Sequence, residues 1–358
     1  MADTLLSVLV PVYNVQDYVE ECLLSLLRQN VDGLEVVVIN DGSTDASRDI
    51  VGRVCEGDPR VVIVDKPNSG YGASLNQGLA CAHGTYVGFL ESDDTLYAGA
   101  LRLLLEAARA NDADVAKGDF MYWWPTDAKR SHVAREISPE LCVGVVDTTR
   151  DMRIYSRRST IWSGIYRAQL LEDNDIRFLE TPGAAYQDTS FNFKVFASSH
   201  RTVFVDAPIV HYRQDNAMSS INSKDKADAV CGEFDEIDTW LQQTYGDSAD
   251  ELLATSLLQR YNAYLWNLDR LSETAGIEFL AQMGREFAAF EETGRLDVST
   301  WDGWRLTNLR ALQDDPKRYL RIRNKYRGDS SVAKAKFALA LGGPQALASA
   351  LSERSGRQ

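Results

Sequence analysis

The chain has 358 residues, more than one average domain and enough for a large catalytic domain with an accessory region. Its 44% hydrophobic content supplies a core, and 25% charged residues is ordinary for a globular protein. A net charge of -14 excludes a nonspecific nucleic-acid binder, which needs a basic footprint. Cys22, Cys55, Cys81, Cys142 and Cys231 are scattered without metal-ligand spacing and read as thiols of a reducing compartment. No leader-like pattern precedes the first strand, and no run approaches the roughly eighteen apolar residues of a membrane span. The expectation is a cytoplasmic protein, at most peripheral at the inner face of a membrane.

Ser7–Val10 reads as a buried strand stopped by Pro11. Asp17, with Glu20 in capping-box spacing, predicts a helix whose stripe is Val19, Cys22, Leu23, Leu26 and Leu27. A strand at 35–40 runs through Gly42-Ser43-Thr44 into a helix capped near Thr44 or Asp45. Val61–Val64 is the third strand, and Gly72–Asn76 enters the next helix. The strand at 86–90 ends in acids that cap a helix expected from 95, with a stripe of Leu101, Leu104, Leu105 and Ala108. A fifth strand follows at 114–118. Apolar strands alternating with helices imply a mainly parallel sheet covered on both faces. The region 119–222 is less regular and aromatic, with a helix at 188–197 and short strands at 201–205 and 208–212. From about 226 the pattern is helical, with turn signals at Gly246 and Gly276.

Two of these strands stop at carboxylates, in Asn40-Asp41-Gly42-Ser43-Thr44-Asp45 and in Glu91-Ser92-Asp93-Asp94. Both turns fall at the sheet rim where α/β folds bind ligands. Clustered carboxylates without adjacent bases await a cation, and a nucleoside diphosphate carried with a divalent metal is the natural visitor. No Gly-x-Gly-x-x-Gly follows the first strand, which argues against a dinucleotide-binding dehydrogenase.

Val10-Pro11-Val12-Tyr13-Asn14, Asn40–Asp45 and Glu91–Asp94 resemble, in order and spacing, the donor-binding signatures of family-two inverting glycosyltransferases. Thr160–Tyr166 and Tyr186–Phe191 resemble the acceptor-side blocks of that family, so the likeness covers roughly 5–220. It implies a GT-A type fold, an α/β nucleotide-sugar-binding architecture with a mainly parallel central sheet. That domain would span 1–222, with a nucleotide-sugar-binding half at 1–118 and an acceptor half at 119–222. A helical C-terminal region would follow at 223–358.

By the same resemblance Asp41 reads the nucleotide base, Pro11, Tyr13 and Asn14 line its pocket, and Ser69 and Gly70 belong to a glycine-containing loop near the diphosphate. Asp93 and Asp94 are the expected ligands of Mn2+ or Mg2+, with His211 completing the shell. Glu91 stands where the family usually has Asp, and it and Ser92 are assigned to the donor. Arg213 would neutralise phosphate, and Trp162 would stack on a sugar face. Asp188 is the expected general base, preceded by Gln187 where the family often has Glu; as a bare residue it reads equally as a helix N-cap. The implied reaction moves a sugar from a nucleotide-diphosphate sugar, with a uridine nucleotide as the working expectation, to a saccharide or lipid-linked acceptor. Cell-surface polysaccharide or glycolipid assembly is the expected setting.

Two other classes stay open. A sugar-phosphate nucleotidyltransferase would need a glycine- and lysine-rich loop after the first strand, which Pro11–Asn14 is not. A noncatalytic nucleotide-sugar-binding scaffold would not need Asp188. The last segment changes sign: ten bases, Lys317 to Arg357, face only Asp329 and Glu353. That basic tail is expected either to touch an anionic membrane or to pack on acidic surface, within the chain or in a homodimer.

Overall fold

The computed structural model describes residues 4–216, 227–328 and 330–355. The chain clusters into two units, Met1–Asn222 with Glu233–Thr244, and Ser223–Gly232 with Tyr245–Gln358. Glu233–Thr244, expected among the C-terminal helices, groups with the first unit.

In the first unit the order begins β1 (Leu6–Val12), α1 (Val19–Leu27), β2 (Leu34–Asn40), α2 (Ser47–Val54), β3 (Val61–Asp65), α3 (Tyr71–Cys81) and β4 (Tyr86–Phe89). It continues through β5 (Thr95–Leu96), α4 (Ala100–Ala110), β6 (Val115–Trp123), β7 (His132–Val133), β8 (Val145–Val146) and β9 (Gly164–Arg167). It closes with α5 (Ala168–Asp173), α6 (Gln187–Ser198) and β10 (Thr202–Arg213). The sheet runs β3-β2-β1-β4-β9-β6-β10-β5. β1 is buried at all seven positions and pairs in parallel with β2 and β4, so the three rims carrying Asn14, Asp41 and Glu91 open at one end. β9 lies antiparallel to both β4 and β6 and ties the nucleotide-side strands to the rest.

Several local expectations change. The capping box does not form: α1 starts at Val19, and Glu20 instead pairs with Arg53. Residues 95 and 96 form a strand, and the helix begins only at Ala100. The two strands expected at 201–205 and 208–212 are one, β10, because register shifts around Pro208 absorb the residue that cannot donate to the ladder.

Helix α7 (Ala227–Tyr245) is followed in the second unit by α8 (Asp250–Leu268), α9 (Glu273–Glu292), α10 (Gly303–Asp314), α11 (Pro316–Lys325) and α12 (Ser331–Ser355). Asp302 and Asp315 cap α10 and α11 by accepting from Arg305 N and Arg318 N, each at 2.8 Å. Gly276 is not a turn. It lies in α9, where a Cβ would come within 3.2 Å of Leu268 and Leu320, so a tight packing contact selects glycine. The Gly342-Gly343 break kinks α12, with Gly343 at φ +69°. No helix among the described residues is long and apolar enough to cross a membrane.

Candidate functional site

Asp41 leaves β2 with its N–H on Val12 O at 2.9 Å, which fixes it to the end of β1. Its side chain is buried and accepts from Ser69 N at 2.9 Å, Gly70 N at 3.0 Å and Lys66 Nζ. The carboxylate therefore folds the 66–70 segment back over the rim, and Ser69 and Gly70 lie beside Asp41. Asn14 holds the opposite wall: at φ +52°, its Oδ1 accepts from Thr44 N at 2.8 Å. Pro11 is buried in β1, whereas Tyr13 is 48% exposed at the mouth. Lys66 was not foreseen, although a base directly after a strand that ends at this rim was a readable signal.

The acidic turn divides its labour. Asp94 is fully buried; its Oδ1 accepts from Arg213 N at 2.8 Å, its Oδ2 has no hydrogen-bond partner, and burial holds its carboxyl well above the usual range. This carboxyl anchors β10 through Oδ1 and leaves Oδ2 unengaged. Asp93 is only partly buried and takes Asn216 Nδ2 at 2.7 Å. Glu91 accepts the Tyr71 hydroxyl, and burial pushes its carboxyl up to about 8. Ser92 is buried between them.

Two of the candidate site residues lie on β10. Arg213 is buried, donates from Nε to Asp93 O at 2.8 Å, pairs with Glu21 at 2.5 Å and lies 4.5 Å over Trp123, so packing commits its guanidinium. His211 stacks on Tyr97 at 3.8 Å and meets Thr95 Oγ1 at 3.2 Å, and burial lowers its pKa. Among the described residues no three His, Cys, Asp or Glu side chains gather in a metal-binding cluster. A divalent cation that keeps waters and takes phosphate oxygens needs only one or two carboxylates. Asp93, with Glu91 beside it, fits that requirement.

Asp188 lies in the first turn of α6, behind Tyr186 at the N-cap position, so it is not the cap itself. Burial raises its carboxyl from 3.8 to about 6, against the opposing pull of first-turn backbone N–H, Arg158 and Lys117. Gln187 accepts from Ala185 N at 2.6 Å and donates to Thr181 Oγ1 at 2.8 Å, fixing the segment that leads into the base. Lys117 is buried on β6 and donates to Thr160 O, and to Thr160 Oγ1 and Ser163 Oγ at 2.8 Å each. Burial lowers it to about 7. Glu233, fully enclosed on α7, accepts from Ser190 N at 3.2 Å. A lysine inside an apolar strand was a visible oddity; nothing in the sequence pointed to Arg158 or Glu233. Trp162 is buried against Tyr212 at 5.0 Å and Phe120 at 4.8 Å.

The 66–70 segment and the segment leading into Asp188 meet through backbone. Gly70 has φ +98°, and a Cβ there would lie 2.9 Å from Thr181 O; at Gly72 it would lie 2.2 Å from Leu179 O. Tyr71 donates its N–H to Gly183 O at 3.0 Å and its hydroxyl to Glu91. Burial chiefly raises Tyr71 and Glu91, and the Asp188 charge adds to both, so Asp188 and the acidic turn share one electrostatic neighbourhood.

An open mixed sheet with an acidic turn and an enclosed carboxylate at one end is the GT-A-like arrangement. The chain belongs to the glycosyl transferase family 2, whose model matches residues 7–191. It is 30% identical over 234 residues to the uncharacterized glycosyltransferase EpsJ of Bacillus subtilis, a match covering 63% of this chain and 65% of that one. The S. aureus TarS 1-349 structure in complex with UDP-GlcNAc superposes with a TM-score of 0.66 at 21% identity, over 98% of this chain and 92% of that one. The Pyrobaculum calidifontis mannosyltransferase PcManGT with GDP-Man and Mn2+ gives 0.50 at 16% identity, covering 99% and 87%. These structural likenesses establish the fold.

Proposed function

We propose that the chain is an inverting glycosyltransferase that moves a sugar from a nucleotide-diphosphate sugar, UDP-linked, to an acceptor hydroxyl in surface polysaccharide or glycolipid assembly. The observation that carries the reading is Asp188, a carboxyl raised to about 6 within electrostatic reach of the Glu91–Asp94 turn. The UDP-GlcNAc bound by TarS supports the donor class.

Asp41 would read the base, oriented by Lys66 and by the N–H groups of Ser69 and Gly70. Asp93, with Glu91, would hold Mn2+ or Mg2+; the structurally similar mannosyltransferase is in complex with GDP-Man and Mn2+. When bound, such an ion is a Lewis acid for the departing diphosphate. Asp188 takes the acceptor proton at a carboxylate oxygen, and Arg158 and Lys117 keep enough of it ionised near neutrality to do so. Incubation with labelled UDP-sugars and candidate acceptors tests this. A glycosylated product supports it; formation of a nucleotide sugar from a sugar phosphate, or binding without turnover, would replace it by the nucleotidyltransferase or the scaffold.

A separate proposal concerns α11, where Lys317, Arg321 and Lys325 are exposed, followed by exposed Val332 and Leu339 on α12. Arg323 is instead tied to Asp269 at 2.8 Å, so only part of the basic tail faces outward. The outward part suits an anionic membrane surface.

A further inference from the structure

The acceptor side of the sheet carries a row of rings that leads from the core to the surface. Tyr212 of β10 is the register partner of Tyr122 on β6, and Tyr122 is the partner of His132 on β7. Trp162 stacks on Tyr212 at 5.0 Å and 26°. Tyr122 meets His132 at 5.2 Å, and Trp124, two residues further along, lies nearly parallel to His132 at 6.2 Å and 19°. The inner end is buried Trp162; the outer end is exposed His132 and half-buried Trp124.

Two guanidinium groups lie over this row. Arg158 stands 5.6 Å from the Tyr122 ring, and Arg130 stands 4.4 Å from the Trp124 ring. Both are exposed, and neither has an ion pair or side-chain hydrogen bond among the described residues. Arg48, Arg53, Arg60 and Arg167 of the same unit are paired with carboxylates; what sets Arg130 and Arg158 apart is that each lies over a ring of this row. Arg158 is also close enough to Asp188 to draw its carboxyl down against burial, which puts the Tyr122 section of the row within electrostatic reach of Asp188.

We propose that this row is the acceptor subsite and that it takes an anionic glycan, a saccharide chain bearing carboxylates or phosphodiesters. The proposal rests on the glycosyl-transfer reading. Flat rings offer apolar faces to sugar rings, while a guanidinium takes a carboxylate or phosphate through paired N–H bonds. A neutral glycan would use the rings but not the charge of either guanidinium. On a chain of net charge -14, a local positive strip is what draws in an acceptor of the same overall sign as the protein.

The test is calorimetric titration of the whole protein with three probes: a uronic-acid oligosaccharide, a glycerol-phosphate oligomer and a neutral oligosaccharide. The parent should bind one anionic probe more tightly than the neutral one, with affinity falling as salt rises, and whichever anion binds names its source. The double variant R130Q/R158Q should lose roughly tenfold or more of that affinity, and Trp124→Leu should weaken it independently of salt. Thermal unfolding of each variant reports that the fold is kept, and Arg130→Gln alone, at the exposed end, serves if the double variant is unstable. Equal binding of neutral and anionic probes, no binding of either anion, or unchanged affinity in the arginine variants overturns the proposal. Failure of the parent to bind UDP would instead sink the glycosyl-transfer reading, and the glycan titration decides the subsite separately.

Discussion

Replacing Asp188 by Asn removes the proposed base while keeping size and a first-turn hydrogen-bond acceptor. General-base catalysis contributes about 10²–10⁴ in rate, so transfer should fall by that factor with donor affinity nearly unchanged. The raised carboxyl adds a pH signature. With a pKa of about 6, roughly nine-tenths of Asp188 is ionised at pH 7 and a little under one-tenth at pH 5, so kcat/KM of the parent should fall about tenfold between them. Stability should move the other way. The native carboxyl binds its proton more tightly than the unfolded one, so its contribution is most favourable below pH 3.8 and is lost as pH rises through about 6. The elevation from 3.8 to about 6 corresponds to up to about 3 kcal/mol at pH 7. Asp188→Asn should therefore unfold at a higher temperature than the parent at pH 7, with the difference closing toward pH 4. Transfer rates across pH 5–8 and calorimetric melting at both ends measure all of this. A variant that transfers at close to the parental rate, or a parent whose rate is flat from pH 5 to 8, refutes the reasoning.

Asp93→Ala should abolish the Mn2+-dependent part of nucleotide binding with the melting temperature unchanged. Asp94→Ala, which removes the buried partner of Arg213 N, should cost about 1–3 kcal/mol of stability by chemical denaturation. Gly72→Ala sets a Cβ 2.2 Å from Leu179 O; it should cost about 1–3 kcal/mol and lower transfer, with parental melting in the variant as the contrary result. For the membrane proposal, charge reversal of Lys317, Arg321 and Lys325 should end salt-sensitive co-sedimentation with anionic vesicles. Deleting the helix instead would remove buried Tyr319 and Leu320 and confound the result.

The sequence was most legible where one strand carries one apolar run. β1 to β4 are such runs, and the acidic turns after β2 and β4 pointed to one rim of the sheet. It was least legible where strands are very short or interrupted: β5, β7 and β8 have two residues each, and β10 contains Pro208. β9 falls within Thr160–Tyr166 and Arg167, a stretch read as a motif and not as a strand, so the antiparallel insertion went unseen. In the site, spacing located the carboxylates but not their environments. Asp93 and Asp94 are neighbours in sequence, and the turn sends one outward and the other into the core. Lys66, Lys117 and Arg158 belong to no pattern; folding alone brings them to Asp41 and Asp188.

The contact of residues 70–72 with 179–183 is made of main chain on both sides. Such a seam is nearly blind to side-chain identity: Thr181 can change without moving the carbonyl that approaches Gly70, whereas one methyl group at position 70 or 72 forces the two segments apart. Sequence drift in this family member thus has two separate tolerances. Side chains around this seam are free to diverge, while the spacing between the 66–72 segment and the segment leading to Asp188 is held by two positions that must lack a side chain.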